Sequence, residues 1–257
     1  MKPNFASLTL MFPMWNEEEL IRTTVAASQE AADSLVLAGE IGSYEILIVD
    51  DASTDATPQI ADELAASDHH VRVVHHPVNR KLGGTLKTGF AEARGELVLY
   101  TDADLPFDLA EVAKAVRLLR IYDADVVSAY RLDRTTEGPR RFVYSMFYNW
   151  LVRYSLGLRL RDVNFAFKLV RRDVLQHVQL KSEGSFIDVE LLARAQRLGF
   201  HIIQFGVDYF PRRRGVSTLS SPSVIVKILR EMSQLSHELR SITPLPPEQR
   251  RSADPRP

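Results

Sequence analysis

Leu97-Val98-Leu99-Tyr100-Thr101-Asp102-Ala103-Asp104-Leu105-Pro106 decides how the rest of this chain is read. A short apolar run with turn chemistry at its end reads as a buried strand. The run stops in two carboxylates one residue apart, and Pro106 keeps the chain from continuing as a strand. In an open α/β sheet the carboxyl ends of the strands face the ligand crevice. Side chains at i and i+2 of a strand share a face, yet the strand has already ended here, so a common ion requires a chain that turns at Ala103. Oxygen ligands of this kind suit Mg²⁺ or Mn²⁺, which accept one or two carboxylates and keep positions for substrate phosphates. A lone Asp-x-Asp also occurs in solvated turns, so context has to decide.

The context repeats the pattern. Ser7 to Phe12 reads as a strand ended by Pro13, after which Asn16 is placed to cap a helix with Glu17, Glu18 and Glu19 in its first turn. Tyr44 to Val49 is a second apolar strand ending in Asp50 and Asp51, and Val71 to His75 a third. A loop, Asn79 to Gly84, leads to a helix expected over Thr85 to Arg94 and stopped by Gly95. Strand and helix alternate throughout, which predicts an α/β fold with a mainly parallel, doubly wound sheet. Helices are expected over Leu109–Leu119 and Asp188–Leu198, and strands over Ala124–Ala129, Phe165–Val170 and His201–Tyr209.

Composition excludes several classes of function. The 257 residues carry a formal net charge of -1, which gives no general attraction to nucleic acid. There are no cysteines, so disulfides and Cys-based metal or redox sites are absent. No secretory leader is expected at the N-terminus, and no apolar run approaches the roughly 18–20 residues that span a bilayer. Arg131 to Arg172 differs in character, with ten Arg or Lys against three acidic residues and many aromatics. From Arg140 to Arg161 this is the composition of an interfacial helix, or of a core helix with snorkelling arginines. Gly83-Gly84 belongs neither to a P-loop nor to a G-x-G-x-x-G fingerprint, which argues against ordinary ATPases and NAD enzymes.

Pro13-Met14-Trp15-Asn16-Glu17, Ile48 to Asp55, Asn79 to Glu96 and Asp102-Ala103-Asp104, in this order, resemble the motifs of inverting family-2 glycosyltransferases of GT-A fold. The likeness is nearest to the dolichyl- and polyprenyl-phosphate hexose synthases. It implies one domain over about residues 1–221, a donor half to about 108 and an acceptor half beyond it. An amphipathic helix over 222–242 and a disordered tail over 243–257 would follow.

The resemblance implies that Pro13, Trp15 and Glu17 line the base and ribose pocket, with Glu17 alternatively only a helix-start residue. Asp51 would bind the base with Val49 beside it, and Ala103 would lie by the ribose. Asp102 and Asp104 would hold Mg²⁺ or Mn²⁺. Arg131, Arg141 and Ser145 would grip an acceptor phosphate, arginine suiting this through its bidentate fork. Asp162 would steer the acceptor or organise the metal, unless it simply pairs with Arg161 or Arg171. Asp104, Asp162 and Arg131 are thus the catalytic candidates. Asp188 and Glu190 match a motif near the acceptor or cap their helix, and Arg212 is the candidate in a loop that closes over the diphosphate.

The implied partners are a nucleotide-sugar donor and a polyprenyl phosphate met peripherally, on the cytoplasmic face of a membrane, with homo-oligomerisation open. Two alternatives keep the fold: a soluble or glycan hydroxyl acceptor, which needs Asp162 or Asp188 as a general base, and a non-catalytic nucleotide-sugar-binding protein.

Overall fold

The computed structural model describes residues 3–133, 150–210 and 222–250, with side chains of the last segment described from residue 230. Seven strands form one mixed sheet in the order β3-β2-β1-β4-β6-β5-β7. They are β1 (Phe5–Met14), β2 (Ile41–Asp50), β3 (Val71–His75), β4 (Leu97–Thr101), β5 (Val126–Arg131), β6 (Phe167–Arg171) and β7 (Ile202–Val207). All seven expected strands are present. β1 pairs in parallel with β2 and β4, and β2 with β3. β6 runs antiparallel to both β4 and β5, while β5 and β7 pair in parallel. Two antiparallel steps restore the original direction, so β5 and β7 point the same way as β1, β2, β3 and β4. The carboxyl ends of these six strands therefore share one edge.

Helices cover both faces. On one side α1 (Ile21–Leu37), α2 (Thr57–Ser67) and α4 (Glu111–Ile121) bury Ile21, Val25, Leu35, Ala61, Val112 and Val116 against Leu8, Leu10, Ile46 and Leu99. On the other, α3 (Lys81–Glu92), α5 (150–156), α6 (Arg172–His177), α7 (Ile187–Leu198) and α8 (Pro222–Ser241) contribute Leu86, Val152, Val174, Leu191 and Met232. Along most of their length β1, β2 and β4 are buried on both faces, which is why these segments read as continuous apolar runs, whereas the edge strand β3 is only partly buried. Among the described residues no helix is long and apolar enough to cross a membrane.

Three expectations are corrected. Asn16 does not cap a helix: it sits at φ 57°, and α1 begins five residues later at Ile21 with no acidic residue in its first turn. The Asn16 side chain instead accepts from the Thr54 amide at 2.8 Å, tying the loop after β1 to the loop after β2. Second, α3 starts at Lys81 and takes in Gly83 and Gly84. A Cβ on Gly83 would lie 2.4 Å from the Ser182 carbonyl oxygen and 2.5 Å from Glu183 backbone, so close packing selects glycine despite its poor helix propensity. Third, structure continues past 243 as far as 250: the Leu245 amide donates to Leu198 O at 2.9 Å and a short α9 (Pro247–Arg250) follows, while 251–257 lie outside the described residues.

The Gly83 contact gives a direct test. Gly83→Ala should cost about 1–3 kcal/mol, the usual range for overpacking, and lower the melting temperature by roughly 2–10 °C. An unchanged melting curve would mean that the 181–185 loop does not press on α3 as described.

Candidate active site

A cleft of about 400 Å³ opens at the shared sheet edge. Pro13, Trp15 and Glu17 from the end of β1, Asp51 from β2 and Asp102 from β4 line it together. These five were singled out from sequence, and parallel pairing brings them together from positions far apart in the chain. Val49 is placed differently: it is fully buried in the core and does not line the cleft. Ala103 is likewise buried. Arg141, Ser145 and Arg212 lie outside the described residues.

The loops around the cleft hold one another. The Asn16 amide donates to Ser53 Oγ at 2.9 Å, the Glu17 amide to Thr57 Oγ1 at 2.8 Å, and the Glu18 amide to Asp55 Oδ2 at 3.2 Å. The motif residues Ser53, Thr54 and Asp55 thus work as a scaffold for the β1 loop. Asp51 is buried beneath the cleft floor, where its Oδ1 accepts from His76 Nδ1 and the Arg80 amide, each at 2.7 Å. Asp50 beside it accepts from the Ser53 amide and His75 Nδ1, at 3.1 and 2.8 Å.

After Thr101 the chain turns as the shared-ion reading requires. Leu105 stands at φ 45° and its amide donates to Asp102 O, while buried Thr24 donates its hydroxyl to Ala103 O at 2.6 Å. Asp102 reaches the cleft, and Asp104 has both carboxylate oxygens shielded from solvent. Asp104 is not among the residues that line the cleft, so of the pair only Asp102 reaches it directly; two carboxylates on one turn are oxygen donors of the kind that suits Mg²⁺ or Mn²⁺. A group elsewhere, Asp68, His69 and His70, is accounted for by its own hydrogen bonds, since Asp68 Oδ1 accepts from the His70 amide and faces the His70 ring.

The far side of the same edge carries the acceptor candidates. Arg131 ends β5 and forms a fork with Asp162, Nε to Oδ2 and Nη2 to Oδ1, both at 2.7 Å. Asp162 therefore pairs with Arg131, not with Arg161 or Arg171, from a left-handed backbone position at φ 46°. The guanidinium also lies over the Tyr209 and Phe165 rings, 5.2 and 5.7 Å from their centroids. Leu132 and Phe210 project beside it at 61% and 55% exposure. On α5, Trp150 and Tyr154 stack at 5.7 Å with both rings exposed, while Val152 and Leu156 are buried.

Asp188 and Glu190 are committed to internal partners. Asp188 lies 3.1 Å from Lys168 Nζ, both fully enclosed between sheet and α7. Burial pushes the Asp188 carboxyl up, with Lys168 opposing the shift. Glu190 accepts from the Lys181 and Ser182 amides and from Arg194 Nε, and Arg194 and Lys181 both reach Glu238 on α8. This network fixes the 181–185 loop, whose Gly184 and Ser185 form a wall of the cleft with Lys81, Leu82 and Thr85 of α3.

Sequence reasoning missed this wall, and it missed Glu231 of α8, which lines the cleft as well. No local signal links a residue so far along the chain to the β1 loop.

Residues 9–179, more than half of the chain, match the family described as Glycosyl transferase family 2. The chain belongs to this family. Within this glycosyltransferase family, it is 36% identical over 210 residues to the glycosyltransferase AglD of Haloferax volcanii, covering 80% of this chain but only 33% of that protein. With the polyprenol monophosphomannose synthase of Mycolicibacterium smegmatis it shares 30% over 227 residues, 84% of this chain and 82% of that one. The mannosyltransferase PcManGT of Pyrobaculum calidifontis, solved with GDP-Man and Mn²⁺, superposes with a TM-score of 0.64 at 20% identity, over 97% of this chain and 68% of that one. That likeness is one of fold, the GT-A arrangement. The chain is thus a family-2 glycosyltransferase, and its Pro13–Glu17, Asp51 and Asp102 segments meet in one cleft.

His75, which braces Asp50, sets a pH dependence. Burial pulls its imidazolium down, but hydrogen bonds to Asp50 and Asp62 and their charges outweigh this, so its pKa is raised. The folded protein then keeps a proton that the unfolded chain releases near about pH 6.5. This stabilisation is fully present below that value and is lost as pH rises through the folded pKa. Melting temperature should therefore fall as pH rises above about 6.5, and His75→Gln should flatten the slope. Equal slopes in the two proteins would contradict the assignment.

Proposed function

We propose that the protein transfers a hexose from a nucleotide diphosphate sugar to a polyprenyl phosphate, with inversion at the anomeric carbon and a divalent cation on the diphosphate. One observation carries this reading. A single sheet edge holds the Asp51–Asp102 cleft on one side and Arg131, flanked by exposed Leu132 and Phe210, on the other.

Each group has a role in this chemistry. Asp51 orients the base, and the loops laced through Asn16 and Ser53 hold the ribose side. Asp102 and Asp104 would bind Mg²⁺ or Mn²⁺, which when bound supplies charge neutralisation for the leaving nucleoside diphosphate. Arg131, aimed by Asp162, meets the acceptor phosphate and places its oxygen in line with the anomeric carbon, so that proximity and preorganised charge supply most of the rate. The exposed apolar side chains beside Arg131 suit an acceptor with a hydrocarbon tail at a membrane surface. The relative from Mycolicibacterium, named for a polyprenol phosphate product, supports the same acceptor class.

A hydroxyl acceptor is less well supported. It requires a carboxylate able to take a proton, and the two candidates for that role are tied to cations: Asp162 to Arg131 and Asp188 to Lys168. A phosphate acceptor is already an anion near neutral pH and needs no such base.

Nucleoside diphosphate release from GDP-mannose, UDP-glucose and UDP-GlcNAc with Mn²⁺ tests this directly. Release should depend on a short polyprenyl phosphate, and Asp104→Ala should lower it by on the order of 10²–10³-fold. Equal release with a hydroxyl acceptor and no lipid phosphate would discard the lipid. Undiminished turnover in Asp104→Ala would discard the metal site.

A further inference from the structure

We propose that Lys168, buried in the sheet beneath the acceptor side of the edge, is a positioning residue for Arg131 and acts on it through Phe165. The inference deepens the acceptor-phosphate reading and rests on it. Lys168 stands in the middle of β6, opposite Tyr100 of β4 and Ser128 of β5, with its side chain wholly out of solvent. Val170, two residues on and on the same face, belongs to the apolar core that also holds Ile187 and Leu191 of α7. Taking an ammonium and a carboxylate out of water costs more than their attraction returns unless further bonds are made. A packed apolar pair at such a place is often just as stable. Stability alone therefore does not account for a lysine here.

The ammonium has two partners. Asp188 of α7 lies 3.1 Å away and balances its charge, and the Phe165 carbonyl oxygen accepts a hydrogen bond from Nζ. That carbonyl also accepts from the Phe167 amide at 2.8 Å, while the Phe165 amide donates to Asp162 O at 2.9 Å. The 162–165 turn is thus tied down at the Phe165 peptide. It carries Asp162 at φ 46°, a left-handed position that a residue other than glycine keeps only when its surroundings impose it.

Two of the groups that aim Arg131 sit on this turn. The Asp162 carboxylate forks the guanidinium and also accepts from the Arg131 amide at 3.2 Å, and the Phe165 ring lies 5.7 Å from the guanidinium carbon. A shift of the Phe165 backbone moves the carboxylate and the ring together, and a bidentate pair depends on its geometry. The donor side is held separately. Glu190, two residues beyond Asp188, bonds the Lys181 and Ser182 amides of the loop that walls the Asp51–Asp102 cleft. Removing the Lys168–Asp188 pair leaves those bonds in place, so nucleotide binding serves as the internal control.

Calorimetric titration of the full chain with a short polyprenyl phosphate, and separately with UDP and GDP in the presence of Mn²⁺, tests the proposal. The variant is Lys168→Met combined with Asp188→Asn, which removes both charges and nearly keeps both shapes. Its melting temperature should fall by no more than about 5 °C. The polyprenyl phosphate should bind about tenfold more weakly or worse, while the nucleotides bind as to the wild type. If the double variant does not fold, Asp188→Asn alone, which strips Lys168 of its counter-charge, should weaken the lipid phosphate selectively as well. Unaltered polyprenyl phosphate binding in a folded variant, or an equal loss of lipid and nucleotide, would reduce Lys168 to a core residue and overturn the proposal. The acceptor reading would survive that result, because the wild type would still bind the lipid phosphate. A wild type that binds a nucleotide but no polyprenyl phosphate would overturn this inference and the lipid acceptor together.

Discussion

The site depends on the parallel pairing of β1 with β2 on one side and β4 on the other. In that register Met14 lies opposite Asp50, and Met11 opposite Tyr100, so three strand ends finish at one edge. Asp51 and Asp102 are 51 residues apart in the chain and face one cleft for that reason alone. Antiparallel β6 extends the same sheet: it reverses direction between β4 and β5, and so returns Arg131 to the edge where Asp51 and Asp102 lie. Arg131 and the two carboxylates thus belong to one continuous sheet edge.

A shared edge supplies neighbours, but chemistry needs fixed distances. Two hydrogen-bonded systems provide them. One crosses between the β1 and β2 loops through Asn16, Ser53, Thr54, Asp55 and Thr57. The other centres on Glu190, whose carboxylate holds two loop amides and Arg194, and passes through Glu238 to α8. Buried polar networks of this sort rigidify the region that they hold. α8 is consequently part of the glycosyltransferase cleft: Met232 and Leu239 enter the core and Glu231 lines the cavity.

Much of this was legible in the sequence, and the reasons divide cleanly. Buried parallel strands leave continuous apolar runs, and carboxylates at their ends announce the crevice, so Asp51 and Asp102 could be read directly. Strand direction leaves no such trace, and Phe167 to Arg171 looks the same whether it runs with or against its neighbours. Local rules failed where tertiary contacts overrode them. Gly83-Gly84 reads as a loop until the Ser182 carbonyl is seen against it, and Asn16 reads as a cap until its left-handed backbone turns it towards Thr54. Arg131 and Asp162 were both recognisable, but their fork spans 31 residues and could not be inferred from either one.

The central claim is that the turn after β4 makes the nucleotide cleft a metal site. Calorimetric titration of a nucleoside diphosphate into the wild type and into Asp102→Asn, each with and without Mn²⁺, tests it most directly. The account predicts that Mn²⁺ strengthens binding to the wild type and has little effect on Asp102→Asn. Binding that is indifferent to Mn²⁺ in the wild type, or equally enhanced in both proteins, would contradict it.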